Sequence, residues 1–422
     1  MFNSKPLCVK NEFRYTLSCR ELNSTTVNLR QLIPIFDNSV SRWGIDAQLL
    51  RWLTFLWLFA GLVILFSASY AVGDSDYSDG LYYIKRQVIS VLLGLVAFNI
   101  VVNSPLRFIL GISHWFVLAL LGLILITLIP GIGTNANGAT RWLSLGGIPI
   151  QPSELIKPFL VLQSARVFGL WNRLTWGARL TWLLIFALVL AGILLQPNLS
   201  TTALCGVALW LVALAAGLPY LYLGGTAFGG LLLAFTSISL RDYQRRRVMS
   251  FLNPWADPMQ DGYQLIQSLL AVGSGGIWGS GFGLSQQKLF YLPIQYTDFI
   301  FAVFAEEFGF VGGLLLLLLL MVYATLALIV ALKTQNPVHR LVAIGAMIFM
   351  VGQSLLNIGV ATGVLPTTGL PLPLVSYGGN SMIASLLVAA LLIRVAREST
   401  EAEIVPIKKR QSRNGRSGSV MQ

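Results

Sequence analysis

The acid best placed for chemistry in this chain is Asp298, within residues 292–307, LPIQYTDFIFAVFAEE. It stands where a long polar loop runs into an apolar helix, and loops carried by a rigid scaffold often hold catalytic groups. A carboxylate in this position could take a proton as a general base. It could also be an N-cap or a first-turn acid, which the helix dipole favours.

Two further acids, Glu306 and Glu307, follow Asp298 in the same predicted helix. Glu306 lies eight residues after Asp298, which is about 12 Å along a helix axis. At that distance the two carboxylates cannot share a reacting atom. We therefore expect Glu306 and Glu307 to be buried structural partners.

An acid and a base lie close together in the stretch QPSELIKP, residues 151–158. Glu154 and Lys157 are three residues apart, so they can pair on one face of a helix. Ionisable groups inside a membrane segment are costly, and they are usually functional or paired. The pair could therefore support a functional site, or it could be purely structural.

Three consecutive arginines, Arg245, Arg246 and Arg247, lie in the long loop before Asp298. Their guanidinium groups could hold a phosphate, because the fork geometry fits that anion. The alternative is that they snorkel at the membrane interface. An anionic lipid-linked substrate would suit both the arginines and the acid.

Two other polar stretches are candidates for lining a cleft. Residues 137–142 end in Arg141 and Trp142, which could form part of a cleft or an interfacial anchor. Residues 363–380 are rich in Gly, Pro and Ser. Because irregular backbone at membrane depth is tolerated only against protein or a watery cavity, we expect this second stretch to line a cavity.

The composition is that of a polytopic membrane protein. Of 422 residues, 55% are hydrophobic and 11% are charged, whereas soluble proteins carry about 25% charged residues. Crossing the bilayer needs about 20 apolar residues. The sequence thus predicts an all-α protein with ten transmembrane helices, at 52–73, 84–103, 107–129, 152–170, 180–196, 199–217, 219–237, 298–332, 338–361 and 372–396.

The positive charges predict the orientation. The net charge of +12 fits cytoplasmic loops rather than nucleic acid, because Lys and Arg collect on the cytoplasmic side. One set of alternate loops, with both tails, holds 20 of the 29 Lys and Arg residues. We therefore expect a disordered cytoplasmic tail at 1–50, a membrane domain at 51–397 with a large extracytoplasmic loop at 238–297, and a basic cytoplasmic tail at 398–422.

The chain also resembles the SEDS family of membrane glycosyltransferases (FtsW, RodA, SpoVE). The similarity runs from about Leu62 to Arg394, and NPWADP and QKLFYLP look more like the division branch, FtsW. It rests on FSAS (66–69), KRQ (85–87), NGATRWLSLGG (137–147), QPSELIKP (151–158), RRRVMSFLNPWADP (245–258), GYQLIQS (262–268), QKLFYLP (287–293), TDFIFAVFAEEFG (297–309) and NIGVATGVLPTTGLPLPLVSYGG (357–379).

The resemblance implies polymerisation of lipid II into glycan strands at the septum of a bacterial inner membrane. Asp298 would be the essential acid, and the partners would be a class B penicillin-binding protein and other divisome proteins. Metal ligands are not predicted, because the histidines and cysteines lack a ligand spacing; a Mg²⁺ or Mn²⁺ requirement is left open. Family analogy and charge assign substrate contacts to Arg141, Trp142, Arg246, Arg247, Lys288, Thr297, Ser376, Gly378 and Gly379, and intramembrane support to Glu154, Lys157, Asn198, Glu306 and Glu307.

The chain departs from the family pattern at three positions. Ile294 stands where the family usually has Glu, and Tyr296 stands where it usually has His. Asn198 replaces a hairpin Asp that in the family would face the Glu–Lys pair. Rival functions are a lipid II flippase, a non-catalytic scaffold for the penicillin-binding partner and a generic transporter, although the sequence shows no internal repeat of the kind transporters often have.

Overall fold

The computed structural model describes residues 40, 43–131, 133–136, 139–145 and 148–414. Asn137 and Gly138 of the polar stretch, most of the predicted N-terminal tail and residues 415–422 lie outside these described residues. Within them the chain is almost entirely helical, as predicted. The exception is a small antiparallel sheet in the order β1-β2-β3, formed by β1 (Gly133–Ala136), β2 (Ala139–Leu145) and β3 (Ile148–Ile150).

The described residues form thirteen α-helices, two of them in the long loop before Asp298. A π-helical turn, Ile348–Gly352, joins α11 to α12. The helices are α1 (Ile45–Tyr77), α2 (Tyr82–Asn103), α3 (Leu106–Ile126), α4 (Pro152–Gly169), α5 (Trp176–Leu195), α6 (Leu199–Ala215), α7 (Tyr220–Leu240), α8 (Asp242–Leu252), α9 (Tyr263–Ser274), α10 (Ile300–Lys333), α11 (Pro337–Met347), α12 (Gln353–Ala361) and α13 (Gly379–Asn414).

Each of the ten predicted apolar runs overlaps a helix. In the described part of the chain, eight spans are long and apolar enough to cross a membrane, with α11 and α12 counted as one. Two predicted spans fall short on these measures. The helix α4 carries Glu154, Lys157 and Arg166, and α6 has 17 residues.

Helices extend into both predicted tails. The first helix begins at Ile45 rather than after residue 50, and its start is tied to the end of α10 by an ion pair between Asp46 and Lys333 at 2.6 Å. The last helix continues to Asn414. Glu398 fixes it where a disordered tail was expected, because the carboxylate pairs with Arg394 at 2.7 Å and accepts the Leu106 amide at 2.7 Å.

The last helix lies at the centre of the bundle and α7 lies at its edge. In the most apolar stretch of α13, 78% of the residues are buried, against 6% for α7. The central helix packs against α2, α4 and α11. Its close approach to α2 is possible at Gly94, which faces Leu386.

The helix α10 is broken at Gly309, where the backbone takes φ 65° and ψ −165°. Four hydrogen bonds from residues 276–281 satisfy the backbone groups released there. Ser280 N and Gly281 N donate to the carbonyls of Glu306 and Glu307 (2.9 and 3.0 Å), while Phe310 N and Val311 N donate to those of Gly276 and Ile277 (2.9 and 3.1 Å). Inside a membrane such groups must be paired within the protein, so this docking makes the break possible.

We predict that Gly309→Ala lowers the thermal unfolding temperature of the detergent-purified protein. A Cβ at Gly309 would collide with the Gly279 backbone nitrogen, and the positive φ itself costs a non-glycine residue about 1–3 kcal/mol. The matched control is Gly313→Ala on the same helix, where the added Cβ meets nothing nearer than Phe301 at 3.8 Å. An equal effect of the two substitutions would contradict this account of the break.

Candidate active site

Asp298 lies just before α10, between the long loop and the helix. The N-cap of α10 is Phe299, and no acid occupies its first turn, so both capping interpretations of Asp298 were wrong. The side chain is half-buried. Its Oδ1 lies 2.6 Å from the Thr297 hydroxyl, and within the described part of the chain no cation forms an ion pair with it. The carboxylate is therefore available for another task.

The backbone on either side of Asp298 is held by α12 and by the irregular segment before α13. Asn357 Nδ2 donates to the Asp298 carbonyl at 2.7 Å and to the Leu370 carbonyl at 2.8 Å. The Ser376 hydroxyl donates to the Thr297 carbonyl, and Tyr377 N donates to the Tyr296 carbonyl at 2.9 Å. These bonds fix the position of the acid without occupying its carboxylate.

In the irregular segment, residues 362–378, the part from Leu370 onward is packed against protein, whereas residues 362–369 are half-buried or exposed. For that first part the cavity lining stays a prediction. Leu370, Leu372, Leu374 and Val375 are all buried, and the Leu374 carbonyl lies against Gly61 of α1. The part of this segment beside the acid is Gly369. A Cβ built there would stand 3.6 Å from Asp298 Oδ2 and 3.9 Å from Arg247 Nη1.

Arg247 is the arginine of the loop that the fold brings to Asp298. It is half-buried, its Nη1 donates to the Thr367 carbonyl at 3.2 Å, and its guanidinium lies 4.7 Å from the Tyr243 ring centre. Arg246 is exposed, and Arg245 pairs with Asp242 at 3.2 Å. The three arginines therefore have different environments on α8, and this difference could not be predicted from the sequence.

Arg141 adds a second cation to this region. It donates from Nε to the Gln196 carbonyl at 3.2 Å and from Nη2 to the Pro197 carbonyl. Burial lowers the pKa of Arg141, and the positive charge of Arg247 lowers it further, although Tyr243 acts in the opposite direction. The two positive charges repel each other in this half-buried site, and an anion bound beside them would relieve that repulsion. Trp142 follows on β2, where it pairs with Thr134 of β1 next to a bulge at Arg141.

Several residues that were predicted to contact substrate belong instead to the framework. Lys288 is buried, and its ammonium pairs with Glu307 Oε1 at 2.7 Å and donates to Ser67 Oγ at 2.9 Å. Ser376 uses its hydroxyl on backbone, donating to Thr297 and accepting from Leu372 N at 2.8 Å. For Lys288 and Ser376 the substrate prediction is therefore corrected, because their polar atoms are already taken.

The glycine pair Gly378 and Gly379 needs the same correction. Gly378 N donates to Gln87 Oε1 at 3.2 Å, and the Cα of Gly379 lies against Ser90 of α2. Gly379 therefore allows α13 to approach α2 closely, and the Gly378 amide is used on α2 rather than on a ligand. Thr297 stays at the site through its contact with the Asp298 carboxylate.

Glu306 and Glu307 are buried as expected, and they hold the long loop onto α10. Glu306 accepts from the Ser285 hydroxyl and from the Gln286 amide at 2.9 Å. Glu307 accepts from Ser67 Oγ at 2.6 Å as well as from Lys288. The loop thus lies on its helix through carboxylates that have no exposed surface to offer a substrate.

The Glu154–Lys157 pair is present, with Nζ 2.7 and 2.8 Å from the two carboxylate oxygens. Lys157 has a third partner that sequence reasoning missed, Gln353 Oε1 at 3.0 Å. Gln353 Nε2 in turn donates to the Pro371 carbonyl at 2.7 Å. Gln353 and Asn357 are four residues apart in α12 and therefore share a face, so one face of α12 links the ion pair to the backbone of Asp298.

Comparison with known proteins places this architecture. A family model for FtsW, RodA and SpoVE proteins, described as "Cell cycle protein", matches residues 47–401. The chain is 58% identical over 384 residues to the "Probable peptidoglycan glycosyltransferase FtsW" of Synechocystis, covering 91% of this chain and 98% of that protein. The chain belongs to the FtsW/RodA/SpoVE family.

Two solved structures of this family's architecture agree with the fold. One is the chain in a structure titled "Structural coordination of polymerization and crosslinking by a peptidoglycan synthase complex", with 30% identity, a TM-score of 0.66 and coverage of 83% of this chain and 97% of that one. The other is the rod shape determining protein RodA of Thermus thermophilus, with 29% identity, a TM-score of 0.61 and coverage of 83% and 96%. The chain is therefore a polytopic membrane protein with a RodA-like fold.

The departures from the FtsW/RodA/SpoVE pattern each have a local structural role. Asn198 is buried and caps α6 by accepting the Thr201 amide at 3.3 Å, so it supports the framework at the start of that helix. The Tyr296 hydroxyl lies 3.1 Å from that of Tyr83. Burial raises the pKa of Tyr296, so the phenol stays neutral where the family usually has His. Ile294 occupies a left-handed turn position with φ 52°.

We predict that Lys157→Ala reduces the folded yield in detergent more than the double change Glu154→Gln with Lys157→Met. The single change leaves the Glu154 carboxylate buried without its cation, which costs about 3–5 kcal/mol. The double change removes both charges together. Folded yield is measured by the monodisperse fraction on size exclusion, and full yield of Lys157→Ala would contradict the pairing argument.

Proposed function

We propose that this chain is a peptidoglycan glycosyltransferase that polymerises lipid II into glycan strands during septal wall synthesis. The observation that carries the proposal is the free carboxylate of Asp298 facing Arg247 across Gly369. An acceptor hydroxyl needs a base, and a pyrophosphate leaving group needs a cation. The names of the relatives, peptidoglycan glycosyltransferase FtsW, support the same activity.

Asp298 is the general base of the proposed reaction. Its carboxylate takes the proton of the acceptor GlcNAc 4-hydroxyl as that oxygen attacks C1 of the donor MurNAc. The bond from C1 to the pyrophosphate oxygen breaks, and undecaprenyl pyrophosphate leaves with inversion at C1. A positioned carboxylate in this role contributes about 10²–10⁴-fold. Asn357 supports the reaction by fixing the backbone that carries the acid.

Arg247 and Arg141 supply the electrostatic part of the mechanism. Negative charge grows on the pyrophosphate as the C1–O bond breaks, and guanidinium groups aimed at that charge stabilise the transition state more than the ground state. Fixed dipoles and charges are most effective where water is excluded. The half-buried setting of both arginines provides such an environment.

The fit of a resident divalent cation is poor. Among the described residues, no three His, Cys, Asp or Glu side chains gather as metal ligands. Mg²⁺ is usually bound through one or two carboxylates together with substrate phosphates. Any Mg²⁺ or Mn²⁺ that the reaction requires would therefore arrive bound to the pyrophosphate, as part of the substrate.

We also propose a topology with ten crossings. These are the eight apolar spans together with α4 and α6, each of which lies in the chain between two of those spans. Membrane domain 51–397 then has both termini in the cytoplasm and loop 238–297 outside, as the positive charges favour. Its setting is the inner membrane at the division septum, with a class B penicillin-binding protein and other divisome proteins as partners. Similarity to a chain of a peptidoglycan synthase complex supports that partnership.

We expect Asp298→Asn to abolish glycan polymerisation while leaving folding intact, because the amide keeps the shape of the carboxylate but cannot take a proton. Polymer formed from labelled lipid II is measured with purified protein, alone and with its penicillin-binding partner. The control is Asp261→Asn, an equal charge change at an exposed position of the same loop. Normal polymerisation by Asp298→Asn would favour the flippase or scaffold alternatives, which need no base.

We expect Arg247→Gln to lower kcat/KM for lipid II at least tenfold, because it removes the cation that lies with Asp298 beside Gly369. Arg246→Gln is the matched control, since Arg246 is the neighbouring residue on the exposed side of α8. Thermal unfolding temperatures of the two variants should be similar, because Arg247 loses one hydrogen bond worth about 1 kcal/mol. Equal kinetics for both variants would return Arg247 to interfacial anchoring.

A further inference from the structure

A cavity of about 490 Å³ opens at the end of the bundle opposite Asp298. Asp298 lies before the first residue of α10, whereas the cavity lies beyond its last, at the start of α11, so the 34 residues of α10 separate the two. The end of α4, the turn between α6 and α7, and the start of α11 enclose it. Pockets of about 300–1,000 Å³ are the size that binds small ligands.

Two cations line the cavity, and the lining contains no acid. Arg173 follows α4, and Arg340 lies in the second turn of α11. Among the described residues, neither guanidinium has a hydrogen bond or an ion pair. Neighbouring basic residues at the same end are occupied: Arg166 donates to the Leu110 carbonyl at 3.0 Å, Arg179 lies 5.1 Å from the Trp171 ring centre, and Lys333 pairs with Asp46 at 2.6 Å.

The backbone around the cavity has the same electrostatic sign. The N-termini of α7 and α11 both reach it, at Pro219 and Pro337. Helix N-termini carry partial positive charge, and that of α7 has no side-chain cap. Arg173 and Arg340, which are both exposed, together with these two helix ends therefore make a region of positive potential that lacks a counter-ion among the described residues.

Exposed aromatic and apolar side chains lie at and next to the cavity. Trp171 lines it, and Tyr220 and Leu221 at the start of α7 are each 84% exposed. Aromatic residues of this kind collect at membrane interfaces. A ligand that matches both the arginines and the apolar side chains carries a phosphate, which the forked donors of arginine fit. It also has acyl chains that stay in the membrane.

We propose that this cavity binds the phosphate of an anionic glycerophospholipid through Arg173 and Arg340. The lipid would link α4 and α11, which pack against each other at Gly169 and Val338, to the peripheral helix α7. This site is separate from the proposed active site, so its test does not depend on polymerase activity. Its expected effect is on stability and on lipid retention.

The test compares the full-length protein in micelles that contain phosphatidylglycerol, phosphatidylcholine alone, or phosphatidylcholine with inorganic phosphate. Phosphatidylglycerol should raise the thermal unfolding temperature, and native mass spectrometry should show one retained phosphatidylglycerol. The double variant Arg173→Gln with Arg340→Gln should lose both effects, with lipid affinity at least tenfold weaker. Its unfolding temperature in phosphatidylcholine alone should match that of the unmodified protein.

The matched control is Arg107→Gln, an exposed arginine at the same end of the bundle that does not line the cavity. It should keep the retained lipid. Equal retention by the double variant, or equal loss by Arg107→Gln, would overturn the proposal. A stabilisation by inorganic phosphate equal to that by phosphatidylglycerol would overturn the lipid assignment. If the double variant does not fold, each single variant should weaken binding at least threefold, and unchanged binding in both would also refute it.

Discussion

Irregular backbone at the depth of a bilayer must find its hydrogen bonds within the protein, and this constraint organises the half of the molecule that carries Asp298. The chain leaves helical geometry at Gly309 and again through residues 362–378. At Gly309 the released backbone groups bond to the backbone of residues 276–281. In residues 362–378 the backbone groups bond to side chains, chiefly those of Asn357, Gln353 and Ser376. The side chains of Asn357 and Ser376 also hold the acid, because they donate to the carbonyls of Asp298 and Thr297.

The same constraint explains why so few polar residues remain available to a ligand. Glu306, Glu307 and Lys288 are fully engaged in attaching the loop to its helix. What is left beside Asp298 is a pair of arginines whose own contacts are mostly with carbonyl oxygens. Carbonyls orient a guanidinium without neutralising it, so the positive charge stays directed at the site.

Local features of the site could be predicted from the sequence, and long-range ones could not. The ten apolar runs and the Glu154–Lys157 pair depend on spacings within one helix, which the sequence displays directly. The contacts of Lys288 with Ser67, and of Asn357 with Asp298, join residues 221 and 59 positions apart. Nothing local marks them. Motif similarity likewise could not separate Ser376, which serves the backbone, from residues that face a substrate.

The π-helical turn at Ile348–Gly352 sets the rotational phase of α12 relative to α11. Successive residues of an α-helix are about 100° apart around the axis, so a shift of one position turns a helix face almost to its side. Gln353 and Asn357 meet Pro371 and Leu370 because that phase is correct. The number of residues between Pro337 and Gln353 is therefore more tightly constrained than the identity of their apolar side chains. A family member could exchange apolar residues there freely, but one inserted or deleted residue would disconnect the membrane ion pair from the acid.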